Sequence, residues 1–125
     1  MLSIREVMKS NVVSVRPETP VKEAISKLVE FKISGMPVVD ADNTLVGVIS
    51  EKDILRMFYE KHDTVGELMT PNPQKVAVGD DLVEVIDMLM ASNFRRVLIH
   101  EAGKLVGLVS RADLMPALLE GMFDE

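Results

Sequence analysis

The chain has no cysteine and no tryptophan, and only one tyrosine and four phenylalanines among its 125 residues. Without cysteine there is no disulfide and no thiolate metal site, which fits a reducing cytoplasm, the expected location. So few aromatic rings exclude a stacking platform for single-stranded nucleic acid. No apolar run approaches the roughly 20 residues that a membrane span needs, and the opening Met1-Leu2-Ser3-Ile4-Arg5-Glu6 has no signal-peptide pattern. Positive charge is in deficit, with 14 Lys and Arg against 20 Asp and Glu and a net charge of −6. That balance argues against nonspecific binding to nucleic acid or to an anionic membrane, so neither is an expected partner. Any anionic ligand would have to be held by local cations and backbone dipoles. No Gly/Ser-rich linker or low-complexity stretch divides the chain.

What is present is a globular composition, 47% apolar and 27% charged, and one stretch that occurs twice. The copies are Leu45-Val46-Gly47-Val48-Ile49-Ser50-Glu51-Lys52-Asp53 and Leu105-Val106-Gly107-Leu108-Val109-Ser110-Arg111-Ala112-Asp113. Each begins as a short Val/Ile/Leu run of the kind that forms a buried strand. Ser then opens a helical periodicity, continued after the first copy by Ile54, Leu55 and Phe58. The pattern predicts a strand that turns directly into a helix, with Ser at the N-cap and Asp three positions on. It supports two readings. Ser-x-x-Asp is a capping-box variant whose side chains satisfy orphan helix N–H groups. A helix N-terminus beside a hydroxyl and a carboxylate also suits a phosphorylated ribose.

The rest of the chain repeats as well. Ser3-Ile4-Arg5-Glu6 is a capping box ahead of a helical turn that ends near Met8, and Thr64-Val65-Gly66-Glu67 restarts it 61 positions later, with Met69 matching Met8. Asn11 to Arg16 reads as an extended arm. Thr19-Pro20 predicts a helix with Thr as N-cap and Pro at the first helical position. Its apolar face is Val21, Ala24, Ile25, Leu28 and Val29, matched member by member in Leu82, Val85, Ile86, Leu89 and Met90 after Asp80-Asp81. Gly35 is the predicted end of the first helix, and Met36 to Asp40 a strand in which Pro37 lies near an edge or the strand start. Val97-Leu98-Ile99 replays that strand. The helix after Ser50 is expected to run to about Lys61. Pro116 should interrupt or kink the helix that Ser110 starts, whose tail carries the apolar stripe Leu118, Leu119, Met122 and Phe123.

The resulting expectation is an α/β (α+β) fold of two pseudo-twofold-related repeats, residues 1–62 and 63–125. Each has a helix-strand-strand-helix core, and the two pack sheet to sheet with clefts at the seam. A half of about sixty residues buries too little surface to stand alone.

Three doubled motifs carry a family resemblance: Ile4-Arg5-Glu6-Val7-Met8 with Val65-Gly66-Glu67-Leu68-Met69; Ile33-Ser34-Gly35-Met36-Pro37-Val38-Val39-Asp40; and the two Gly-h-h-Ser-x-x-Asp segments. Over residues 3–115 the chain resembles a tandem pair of cystathionine-β-synthase (CBS) domains, a Bateman module. The resemblance implies a regulatory module and not an enzyme, with an adenosine nucleotide or derivative (AMP, ADP or ATP-like) as regulatory ligand and no required cofactor. It implies composite clefts. One combines Ser110 and Asp113 with Val13, Ile33, Ser34, Met36 and Pro37, and adds Arg95 and Arg96 at the positions where the family often meets phosphate. The other combines Ser50 and Asp53 with Gln74, Phe94 and Arg95; its own matching cation positions hold Ser34 and Gly35, a departure from the family pattern. The residue chemistry agrees: a carboxylate accepts from a ribose cis-diol, and Arg offers a permanent, forked charge.

Other features have plainer explanations. Asp40/Asp42 and Asp80/Asp81 fit turn and N-cap chemistry better than Mg²⁺ ligation, and no metal is expected. His62 reads as a solvated loop residue and His100 as an exposed strand end. No nucleophile–base pair, Walker loop or carboxylate dyad is present, so no catalytic residue is assigned. Two function classes follow: a small-molecule sensor that signals to an unidentified regulated protein by conformational or dimer change, or a structural interaction module with empty clefts. A homodimer is expected in either case, because the amphipathic helices carry more apolar surface than 125 residues can bury internally.

Overall fold

The computed structural model describes residues 2–91 and 95–123, with side chains described as far as Gly121. In chain order the elements are α1 (Ile4–Val7), α2 (Val21–Phe31), β1 (Gly35–Val39), β2 (Leu45–Ser50) and α3 (Glu51–Leu55), continued by a 3₁₀ turn, Arg56–Phe58. Then follow α4 (Val65–Leu68), β3 (Thr70–Pro71), β4 (Lys75–Ala77), α5 (Leu82–Met90), β5 (Arg96–Glu101), β6 (Lys104–Ser110) and α6 (Arg111–Phe123). The mixed α+β class and the two repeats stand as the sequence implies.

Two compact units form, and they are not cut where the sequence repeats are. A continuous unit spans Val13–Pro73, and a split unit joins Met1–Val12 to Gln74–Glu125. The opening segment of each repeat therefore packs in the unit built on the other repeat's strands. In the continuous unit the sheet order is β1-β2-β3, antiparallel throughout, and Val15 adds a parallel bridge to Val38. In the split unit β4 pairs parallel with β5 and β5 antiparallel with β6, while Lys9 adds an antiparallel bridge to Leu108. The correspondence is residue by residue: Val15 and Val76 are matched, as are Lys9 and Thr70.

Each core is a stripe of the same positions. Ile4, Val76, Leu82, Val85, Leu89, Val97, Ile99 and Val109, with Leu114, form one core. Val65, Val15, Val21, Ala24, Leu28, Met36, Val38 and Ile49, with Leu68, form the other. Burying each large side chain contributes about 1.5–3 kcal/mol, so the two stripes dominate the stability of their units. Both doubled glycines are required by close approach. A Cβ on Gly47 would lie 2.7 Å from Met69 Sδ and 2.9 Å from the Thr70 carbonyl. One on Gly107 would lie 2.9 Å from Met8 Cγ and 3.0 Å from the Lys9 carbonyl.

Several local expectations are corrected. Thr19 does not cap α2: its Oγ1 accepts the Arg16 N–H at 3.0 Å, Pro20 occupies the cap, and the Val21 N–H donates to the Asp63 carbonyl instead. Tertiary backbone bonding thus replaces the side-chain cap. α2 ends at Lys32, held in the left-handed region (φ 53°) with its N–H donating to Leu28 and Val29 carbonyls, while Gly35 already begins β1. Pro37 sits inside β1, yet its carbonyl accepts from Val15, so its missing N–H faces the short arm ladder and spares the β1–β2 ladder. α3 stops at Leu55 because Leu55 and Phe58 are exposed and only Ile54 and Met57 pack on the core, too little to sustain further turns. α6 runs through Pro116 to Phe123, its start fixed by the Ser110 box and buried Leu114. The apolar stripe of α2 is wider than the core it serves, leaving Ile25 and Val29 exposed, as Met90 is on α5. Among the described residues no helix is long and apolar enough to cross a membrane.

Candidate ligand site

In the split unit, β6 delivers Ser110 directly into α6. The Ser110 N–H and hydroxyl donate to Asp113 Oδ2 at 2.8 and 2.9 Å, and the Asp113 N–H donates to Ser110 Oγ at 3.3 Å. In the continuous unit Ser50 and Asp53 make the same three bonds, at 2.9, 3.0 and 3.2 Å. Both Ser-x-x-Asp segments are therefore capping boxes, and one carboxylate oxygen of each Asp is committed to the helix start. The plain reading of the motif is realised in full, and it leaves Oδ1 for other work.

Oδ1 is where the two copies part. Asp113 Oδ1 meets the Lys9 ammonium at 3.4 Å; the Asp113 side chain is only 8% exposed, that of Lys9 71%. Asp53 Oδ1 accepts the Thr70 hydroxyl at 3.2 Å. Lys9 and Thr70 follow the matched Met8 and Met69, and their backbones are pinned by bridges to Leu108 and Val48. Sequence reasoning missed both residues. The repeat register marks them as one equivalent pair, but only the exchange of opening segments brings each to its carboxylate.

Arg96 opens β5 directly opposite Ser110 in the antiparallel register, so the two side chains share a face about 4.5–5.5 Å apart at Cβ. Arg95, one residue before, is exposed. In the continuous unit the residue opposite Ser50 is Gly35, and the Ser34 carbonyl accepts the Glu51 N–H at 2.9 Å, so one donor of that helix start is already taken. The Arg-bearing and Arg-free positions thus match as the repeat implies. Arg111, first in α6, is spent elsewhere, its guanidinium donating to the Leu89 carbonyl at 3.0 Å near the end of α5.

The remaining expected residues are placed as follows. Met36 lies in the core of its unit, on the sheet face opposite Gly35 and Pro37. Val13 and Ile33 are half-buried and pack against that same core, Ser34 is half-buried and Pro37 buried. Gln74 is exposed at the start of the second segment of the split unit. Phe94 lies outside the described residues. Asp40 Oδ1 accepts the Asp42 and Thr44 N–H groups, and Asp81 caps α5 through the Val83 N–H, which is turn and cap chemistry.

The histidines are less free than the sequence suggests. His100 Nδ1 accepts the Gly103 N–H at 3.0 Å. His62 is set between two carboxylates, with Nε2 2.9 Å from Glu60 and Nδ1 3.4 Å from Glu67. Chiefly through the hydrogen bond to Glu60, and against partial desolvation, its pKa lies above the usual 6.5. The Glu67 carboxyl is held below 4.5, first by the Thr64 N–H and hydroxyl of its capping box and then by His62.

The CBS domain family matches residues 4–60 and 65–120. CBSX2, a chloroplastic CBS domain-containing protein of Arabidopsis thaliana, is 31% identical over 144 residues, covering 90% of this chain and 60% of that protein. The crystal structure of CBSX2 in complex with AMP superimposes with a TM-score of 0.83 at 33% identity, covering 96% of this chain and 98% of that one. The inosine-5'-monophosphate dehydrogenase of Methanocaldococcus jannaschii is 28% identical over 111 residues, but these make up only 22% of that enzyme. The chain spans about 60% of CBSX2's length. With two matched copies covering nearly every residue, each carrying its own Ser-x-x-Asp segment, the chain belongs to the CBS domain family, as a tandem pair of CBS repeats.

Proposed function

We propose that this chain is a non-catalytic regulatory module that binds an adenosine nucleotide at the Ser110-x-x-Asp113 segment and passes the binding state to a partner protein. The observation that carries the reading is the setting of that segment. Arg96 stands directly across from Ser110, and Asp113 has one oxygen uncommitted to the helix cap, in a partly buried position. A carboxylate of this kind accepts from a ribose hydroxyl, the Arg forks onto phosphate, and the start of a thirteen-residue helix adds its dipole. A charged hydrogen bond from Arg96 would contribute about 1.5–3 kcal/mol. Similarity to CBSX2, solved with AMP, supports the ligand class. The family resemblance implies that Val13, Ile33, Ser34, Met36 and Pro37 belong with this segment and that Ser50 and Asp53 serve a second cleft, and apolar Val13 and Ile33 suit the walls of a base slot.

Calorimetric titration of the purified chain with AMP, ADP, ATP and S-adenosylmethionine tests this. Saturable binding of at least one ligand, lost in Arg96→Ala, supports the proposal. Silence across the panel at millimolar ligand would leave the second reading, a dimerisation module. That reading draws on the exposed apolar residues Val29, Phe31, Leu55, Phe58 and Tyr59 of the continuous unit. Both readings include a homodimer formed through such surfaces, which sedimentation at tens of micromolar would register.

A further inference from the structure

The two units carry the same formal charge, seven Lys and Arg against ten Asp and Glu in each. The two Ser-x-x-Asp segments nevertheless differ in their charged neighbours. Lys9 meets Asp113 and Arg96 stands across from Ser110; the equivalent positions at Asp53 and Ser50 hold Thr70 and Gly35. Of Lys9 and Arg96, it is Lys9 that is ion-paired with the carboxylate itself. Its backbone cannot wander, because its N–H and carbonyl both pair with Leu108 at 2.9 Å. Its side chain can, being 71% exposed while Asp113 is nearly enclosed.

We infer that Lys9 makes the Ser110/Asp113 site select phosphorylated adenosine ligands over the bare nucleoside. The inference rests on the adenosine reading given above. Asp113 Oδ2 is saturated by Ser110, so a ribose hydroxyl can reach only Oδ1, the oxygen that Lys9 now holds. Entry of the sugar turns the ammonium away from its carboxylate. A nucleotide brings a phosphate oxygen to receive that ammonium, and a nucleoside brings nothing in exchange. The ion pair is thus passed on in one case and lost in the other. At Asp53 the displaced group is the neutral Thr70 hydroxyl, which water satisfies, so position 70 exerts no such preference.

The test is the ratio of adenosine to AMP dissociation constants, measured by calorimetry on the full chain and on Lys9→Thr, Lys9→Gln and Lys9→Arg variants, each checked by thermal melting. Removing the charge should lower the ratio about ten- to a hundredfold, chiefly because adenosine no longer has to break the ion pair and binds more tightly, and the salt dependence of AMP binding should flatten. Lys9→Arg should restore most of the ratio. Parallel loss of both ligands, or an unchanged ratio, would overturn the role of Lys9 while leaving the adenosine site standing. A wild-type chain that binds neither AMP nor adenosine would overturn both.

Discussion

Replacing Gly107 by Ala adds one methyl group between β6 and the segment that carries Lys9. At a permissive backbone angle such a change would stabilise by about 0.4–1 kcal/mol, because the unfolded chain loses freedom. Here the new Cβ would fall 2.9 Å from Met8 Cγ and 3.0 Å from the Lys9 carbonyl. Met8 is flexible and can turn away, but the Lys9 carbonyl accepts the Leu108 N–H at 2.9 Å and moves only with its strand. Overpacking of this kind costs about 1–3 kcal/mol. The net expectation is a destabilisation of about 0.5–2.5 kcal/mol. With a urea m-value of about 1–3 kcal/mol/M, the unfolding midpoint falls by on the order of 0.5–1 M. Gly79→Ala is the internal control, since nothing lies within 4 Å of its added Cβ and it should be neutral or slightly stabilising. Chemical denaturation of both variants decides the matter. If Gly107→Ala is as stable as Gly79→Ala, the contact between the opening segment and β6 is not the reason for the repeated glycine. The preference for AMP over adenosine should fall together with stability in Gly107→Ala, because the displaced segment carries Lys9 away from the Asp113 site.

Three further outcomes are expected. The His62 contribution is complete below its ordinary pKa of 6.5 and is lost as pH rises through the higher folded value; that of Glu67 is complete above 4.5 and is lost as pH falls through the lower one. Thermal stability should therefore be highest between about 4.5 and 6.5, and a His62→Gln variant that keeps the same decline on the alkaline side would remove His62 from the account. Removing the hydroxyl in Ser50→Ala should cost about 0.5–2 kcal/mol in urea unfolding, since Ser50 Oγ accepts the Asp53 N–H and donates to its carboxylate; no loss would mean that the box contributes nothing. AMP should bind more tightly than 2′-deoxy-AMP by about 1–3 kcal/mol, as Asp113 Oδ1 loses a donor, and equal affinities in calorimetry would take the ribose away from Asp113.

The sequence by itself determined the doubled architecture, because its signals are local and periodic. The 61-residue recurrence of Ser3-x-x-Glu6 at Thr64-x-x-Glu67 reports two capping boxes, and both form. The stripes Val21/Ala24/Leu28 and Leu82/Val85/Leu89 report two helix faces, and both are buried. Ser-x-x-Asp was legible as a cap for the same reason: its bonds span three residues. What the sequence did not display was which opening segment joins which sheet. Lys9 meets Leu108 and Asp113 across about a hundred positions, and nothing in the local pattern distinguishes that pairing from one within its own repeat. The tertiary structure decided it, through buried contacts such as Met8 over Gly107 that no short-range periodicity encodes. Tertiary bonding likewise overrode Thr19 as a cap, by giving the Val21 N–H the Asp63 carbonyl. α6 also continues through Pro116, on a first turn anchored by the Ser110–Asp113 bonds and buried Leu114. The charge beside each carboxylate, Lys9 against Thr70, is written in the sequence, but its meaning depends on a pairing that only the folded chain makes.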